Sequence, residues 1–294
     1  MNGLLCTLND AGLIVNQIKY NRFIRVATID KKNKRNGWYY TDGDYAVFGN
    51  WATGFKSHWQ DKKSANSLSY KTKAEKESHY REIRAKQEKL QQEMKVQAIK
   101  DITSSWHKLT HNPGISPYLA RKKVLLQADF KLDINKKLAI PMFNVNGVLT
   151  GYQTIDANGN KLFKANSQLK GSFYPIKPDC LTLDKLDLLI LCEGYATGSS
   201  IYQALNEELD AVNYGVICCF STNNIDVVAD EIMNKFGKKS LFLIADNDEV
   251  GLKSRLPKFN VGCVNGQDAN DIHCEFGLES LGRIIKHHMK EYLG

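Results

Sequence analysis

Glu193, Asp246 and Asp248 are the residues whose types and spacing can do chemistry. Glu193 stands in "CEGYATG" at 192–198, behind the apolar run "LDLLIL" that only Asp187 interrupts. Asp246 and Asp248 form an i, i+2 pair in "IADND", behind another apolar run. A lone glutamate there would only mark a strand surfacing into a loop. Three carboxylates at one edge say more, because hard anionic oxygens suit Mg2+ better than zinc or copper, with Mn2+ as its substitute. Crowded acids also repel one another unless a cation lies between them. The local sequence offers no obvious basic partner, and a fourth carboxylate is available from Asp268 or Asp271 in "GQDANDIH". The natural work of such a site is on phosphate: a divalent ion neutralises charge on the phosphoryl group, and Glu193 serves as acid or base.

These acids need strands that end at one edge. "LLILC", "GVICCF" and "SLFLIADND" read as three strands. Between them lie a helix with Ile201, Ala204, Leu205 and Leu209 on one face and another with Ile225, Val228, Ile232 and Phe236 at periods of three and four, capped by Gly237. Strands alternating with crossover helices predict a parallel α/β sheet, whose ligands bind beyond the carboxyl ends of the strands. The fold class expected is therefore α/β over 181–294. Ahead of it come a small strand-rich module at 1–65, a basic helical arm at 66–112 and a mixed α+β segment at 113–180. The arm runs from Lys71 to Lys100 with nine basic residues, five glutamates and no Gly or Pro. Tyr80, Ile83, Leu90 and Met94 give it one narrow apolar stripe, and Pro113 and Gly114 are expected to end it after Trp106. The hairpin signals "VNG" and "ANGN" punctuate apolar runs between Leu138 and Ile176.

At 294 residues, 43% hydrophobic and 24% charged, the chain is neither disordered nor membrane-spanning, and it carries no signal-like start, so a cytoplasmic location is expected. Seven scattered cysteines without a C-x-x-C pair argue against a disulfide framework and a zinc ribbon. The net charge of +8 is concentrated between Lys19 and Arg35, where seven basic residues, among them Lys31, Lys32, Lys34 and Arg35, face one acid, Asp30. Aromatic residues Tyr20, Phe23, Trp38, Tyr39 and Tyr40 lie alongside. Phosphate binding and base stacking use that combination; a solvated basic loop with core aromatics beside it is the alternative.

"LCEGYATG", then "IADNDEVG" and "DANDIH", resembles the Toprim domain, the metal-dependent module of topoisomerases, bacterial primases and several nucleases. The wording "EGYATG" is similar to that of the Toprim primases of conjugative plasmids and satellite phages. "PYLARKKV", "AIPMFNVNGVLTGYQTIDANGNKLF", "STNNI" and "GWYYTDGDYAVFGNWATG" resemble segments elsewhere in those primases, so the likeness covers most of the chain.

The resemblance implies that Glu193 is the catalytic acid or base, that Asp246 and Asp248 are the Mg2+ ligands, and that Asp271 belongs to the metal shell. It implies primer synthesis on single-stranded DNA in plasmid or phage replication, by attack of a 3′-hydroxyl on a nucleoside triphosphate. Arg121, Lys122 and above all Lys161, at a hairpin end, would then hold template or nucleotide. Two departures qualify it: no zinc-binding ribbon is found, and no P-loop follows, so any replicative helicase would be a separate protein. A Toprim nuclease using the same acids to activate water, and a catalytically idle nucleic-acid-binding accessory protein, are the alternatives.

Overall fold

The computed structural model describes residues 3–61, 73–111, 116–127, 129–177, 183–206, 213–237, 240–246, 254–262 and 266–293. Asp248, Leu209, Cys180, Cys263, Pro113 and Gly114 lie outside the described residues, as do the side chains of Tyr80, Ile83 and Leu90. Two compact units divide after Leu90.

The first unit is an antiparallel sheet of β1 (Ile24–Val26), β2 (Gly37–Thr41), β3 (Tyr45–Asn50) and β4 (Phe55–Gln60), in that order, with helix α1 (Gly3–Asp10). Alternation along the strands splits the residues between two faces. Ile24, Val26, Tyr39, Ala46 and Phe48 join Leu4 and Leu8 of α1 in one core. Tyr39 is fully buried there, its hydroxyl accepting from the Lys19 amide at 3.0 Å. It is a core residue, unlike the surface stacking group expected from its place beside the basic run.

Helix α2 (Lys73–His107) carries the boundary between the units. It stops at His107, ahead of the expected Pro113 and Gly114, because strand β5 (Thr110–His111) claims the chain by pairing with β6 (Lys131–Leu132). Among the described residues, no helix is long and apolar enough to cross a membrane.

In the second unit, helix α3 (Pro117–Lys122) and an antiparallel sheet of order β5-β6-β7-β8-β9 precede the parallel one. Strands β7 (Leu138–Phe143), β8 (Leu149–Ile155) and β9 (Lys161–Phe163) are joined by the two predicted hairpins. In the second, Asp156 Oδ1 accepts from the amides of Asn158 and Asn160, both at 2.9 Å, and Gly159 takes the φ of +91° that a side chain disfavours.

The other sheet has the order β10-β12-β11-β13-β14, from β10 (Tyr174–Lys177), β11 (Leu188–Cys192), β12 (Tyr214–Cys218), β13 (Ser240–Ala245) and β14 (Lys258–Asn260). Only β10 runs antiparallel; β11 is parallel to both β12 and β13. Every residue of β11 is buried, as a strand covered on both faces requires. Leu188, Ile190 and Cys192 pack towards helices α4 (Tyr195–Asn206), α6 (Ala269–Phe276) and α7 (Leu278–Leu293). Leu189 and Leu191 pack towards α5 (Thr222–Phe236), through its Ile225, Val228 and Ile232.

Close approach of α4 to this sheet depends on Gly198. A Cβ there would collide with Ile176 Cδ1 and lie 2.6 Å from Cys192 Sγ. Helix propensity alone predicts that Gly198→Ala gains about 1 kcal/mol, whereas overpacking costs about 1–3 kcal/mol. Urea denaturation is expected to show a net loss of stability, and a gain would mean that α4 does not need the glycine to approach the sheet.

Candidate active site

The chain order of the parallel strands fixes where a site can form. From β11 the chain crosses to β12 on one side and later to β13 on the other, so the carboxyl end of β11 is the switch point at which the connections diverge and leave a crevice. Glu193 is the first residue beyond β11, and Asp246 the first beyond β13. Leu191 pairs with Leu243 in parallel register, which sets Glu193 level with Ala245 and Asp246 one residue further out at the same edge of the sheet. Asp246 is half-buried, with its Oδ1 screened from solvent.

Glu193 is held from the next crossover. The hydroxyl of Thr222, the first residue of α5, donates to Glu193 Oε2. Ser221, at the N-cap, makes no side-chain capping bond, so the hydroxyl that matters is the one aimed at the glutamate. The loop is fixed by Asn224, 4% exposed, whose Nδ2 donates to Ser172 O at 2.7 Å and Cys219 O at 2.9 Å. Its Oδ1 accepts from the Gly171 amide at 2.8 Å. These bonds sustain a left-handed Phe220 at φ +63°, a conformation costly for a bulky residue. Thr222 and Asn224 are not singled out as site residues by the sequence; their one signal is "STNNI", a segment that resembles one found in the Toprim primases but assigns neither residue a role.

Lys161 reaches the same place from β9. Its Nζ lies 3.4 Å from the position of a Cβ on Gly194, so the ammonium rests over the glutamate-glycine turn. The strand is steadied by an edge-to-face contact between Phe163 and Phe220, centroids 6.3 Å apart. The acids therefore do have a basic neighbour, one that approaches from another sheet and is invisible in the local sequence. Cys218, whose thiol donates to Glu193 O at 3.3 Å, registers all three charges. Burial pushes it up to about 12; a hydrogen bond at Phe220 and the Lys161 ammonium oppose that, and Glu193 and Asp246 add to it.

Among the other expected groups, Asp271, Lys122 and Arg121 have partners of their own. Asp271 closes the capping box of α6, its Oδ2 accepting from the Asp268 amide at 3.2 Å, and its Oδ1 pairs with Lys122 Nζ at 3.5 Å. Asp268 accepts from Thr197 Oγ1 of α4 at 2.9 Å. Arg121 donates to Ala157 O in the β8–β9 turn. Lys31, Lys32, Lys34 and Arg35 are exposed in the first unit.

Among the described residues, no three His, Cys, Asp or Glu side chains form a metal cage. Glu193 and Asp246 supply two hard oxygen donors at adjacent strand ends, and Asp248 lies outside the described residues. This donor chemistry fits a divalent cation of the Mg2+ kind.

No family model matches the sequence. Over 224 residues, 74% of its length, the chain is 27% identical to a DNA primase TraC of Escherichia coli, and a second protein of that name and organism is 29% identical over 134 residues. The chain spans only 20% and 9% of these two relatives' lengths. Among solved structures it is similar to the DnaG primase catalytic domain bound to ssDNA, with a TM-score of 0.45 and 11% identity over 66% of this chain and 80% of that one.

Proposed function

We propose that the chain is a primase-type nucleotidyltransferase that makes short primers on single-stranded DNA from nucleoside triphosphates, in the replication of a plasmid or phage. One observation carries the reading: Glu193 and Asp246 stand just beyond the carboxyl ends of adjacent parallel strands at the switch point, with Lys161 over the Glu193–Gly194 turn. The similarity to the TraC primases supports synthesis over cleavage.

Glu193, Asp246 and Asp248 would hold Mg2+ or Mn2+. When bound, such an ion neutralises charge on phosphate and orients its oxygens. The Thr222 hydroxyl fixes the direction of the Glu193 carboxylate, which keeps it in reach to accept or return the proton of an attacking hydroxyl. The Lys161 ammonium would pair with a triphosphate oxygen, a strong interaction beside a partly buried edge. Asp271 and Lys122 enter indirectly: their ion pair and the capping box hold the start of α6 against α3. Arg121 in turn anchors the hairpin that carries Lys161. The basic turn at Lys31, Lys32, Lys34 and Arg35 would meet template phosphates. A replicative helicase would act as a partner protein.

Glu193→Gln keeps the side chain's shape and removes its charge, so primer formation on single-stranded DNA should fall by ~10²–10⁴ with the thermal melt unchanged. Full synthesis by the folded variant would remove Glu193 from the mechanism. Mn2+ affinity, followed by electron paramagnetic resonance, should drop at least about tenfold in Asp246→Asn, the loss of one charged ligand being worth about 1.4 kcal/mol or more; unchanged affinity would place the ion elsewhere. Neutralising Lys31, Lys32, Lys34 and Arg35 together should reduce the salt dependence of DNA affinity, by about 0.7 in log–log slope for each phosphate no longer neutralised by the protein. A slope like the wild type's would move the phosphate-binding groups to another surface.

A further inference from the structure

The face of the first unit's sheet turned away from α1 is built unlike the core face. Arg25, Trp38 and Lys56 alternate with core residues along β1, β2 and β4 and share this side. Trp38 lies flat across the strand because β3 has a glycine opposite it: a Cβ on Gly49 would lie 2.9 Å from the indole. Phe23 stacks on Trp38 with centroids 5.4 Å apart and planes 18° apart, and Trp51 adds to both at 5.6 and 6.1 Å. Trp38 is 6% exposed, whereas Trp51 leaves 45% of its surface open. The three aromatic side chains thus touch one another in a single cluster, buried at Trp38 and open at Trp51.

Trp51 is also fixed in place. Its amide donates to Asn36 O at 3.0 Å, and Asn50 Oδ1 accepts from the next amide, Ala52, at 2.9 Å. Arg25 stands with its guanidinium carbon 4.8 Å from the centroid of the Trp51 ring. The same guanidinium donates through Nε and Nη2 to Arg35 O, at 3.3 and 3.1 Å. Residues 35 and 36 close the basic turn Lys31–Arg35, which is itself held by the Lys34 amide donating to Lys31 O at 3.0 Å. Asp30, the one acid of the cluster, has its carboxyl held below its ordinary value, chiefly by the neighbouring Thr28 side chain. The turn that carries the positive charge and the tryptophan that carries the open ring are therefore joined through Arg25 and Asn36 into one continuous surface.

We infer that this surface is a binding site for single-stranded DNA, with bases stacking on Trp51 at the open side of the Phe23–Trp38–Trp51 cluster and phosphates on Arg25, Lys56 and the Lys31–Arg35 turn. Charge complementarity and ring geometry point to the same ligand. Single strands expose both a polyanionic backbone and unstacked bases, and proteins that bind them without strong sequence preference pair a basic track with aromatic platforms. A duplex hides its base faces and would leave the open tryptophan unused. From the proposed function the inference takes only that the chain engages single-stranded DNA; it asks nothing of Glu193 or Asp246.

The test uses the full chain and two oligonucleotides of equal length and charge, an oligo(dT) and its abasic counterpart, in binding titrations at several salt concentrations. The wild type should bind oligo(dT) more tightly than the abasic strand. Trp51→Leu should weaken oligo(dT) binding about five- to hundredfold, leave abasic binding and the salt slope unchanged, and so erase the preference; Trp51→Phe should retain most of it. Thermal melts should show both variants folded at the assay temperature, with Trp51→Leu the less stable because it gives up the contacts with Phe23 and Trp38. Equal binding of the two strands by the wild type, or an intact preference in Trp51→Leu, would overturn the stacking site. Primer synthesis measured on the same samples separates the two readings: loss of the preference in Trp51→Leu supports the site even if no primers form, and failure of Glu193→Gln to affect synthesis leaves the site untouched.

Discussion

Parallel pairing of β11 with β12 on one side and β13 on the other is the constraint on which the candidate site depends. It makes β11 the strand from which the chain diverges, and it forces the residues that follow β11 and β13 to leave the sheet at the same edge. Both faces of β11 are apolar, so hydrophobic pattern alone does not decide its register. Shape helps to do so: α4 settles where Gly198 admits Cys192 and Ile176. A side chain at that point would lift the helix that starts two residues after Glu193, and the acid would move with it.

Charge at that edge is then balanced by elements that arrive from elsewhere. Glu193 accepts from Thr222 at the start of α5, and Lys161 comes over Gly194 from the antiparallel sheet. The two sheets are tied where Phe143 and Phe173 exchange amide hydrogen bonds of 2.8 Å and where the hydroxyls of Thr150 and Ser172 meet at 2.7 Å, out of solvent. Buried polar contacts of this kind are expensive to leave unmade, so they hold the hairpin in one position. The lysine is thereby placed by a fold-wide arrangement, although it sits on an exposed strand end.

Much of the site is legible in the sequence because strand ends are. Glu193 and Asp246 follow apolar runs, and alternation of strand with helix implies which edge those runs share. The helical periodicity of Ile225, Val228 and Ile232 is met in the structure by packing against Leu189 and Leu191. Contacts made between distant segments are the part that cannot be read. A hairpin end singles out Lys161, yet local sequence offers the acids no basic neighbour, because it cannot show a residue arriving from another sheet. Resemblance assigns Asp271 to a metal shell, whereas its oxygens serve a helix cap and Lys122. Tyr39 and Trp51 show the same limit in the first unit. Adjacency to the basic run suggests Tyr39, but strand alternation turns it into the core, while Trp51, sixteen residues beyond Arg35, is carried back to the basic turn by its bond to Asn36.

If the ends of β11 and β13 form one divalent-cation site, the ion can be located without any catalytic assay. Fe2+ substituted for Mg2+, with ascorbate and peroxide, generates radicals that cut the backbone within reach of the bound ion, and the cut sites can be mapped by mass spectrometry. Cleavage should fall both near Glu193 and near Asp246, with the two suppressed together by excess Mg2+. Cleavage at one of these segments without the other, or at neither, would contradict a shared site.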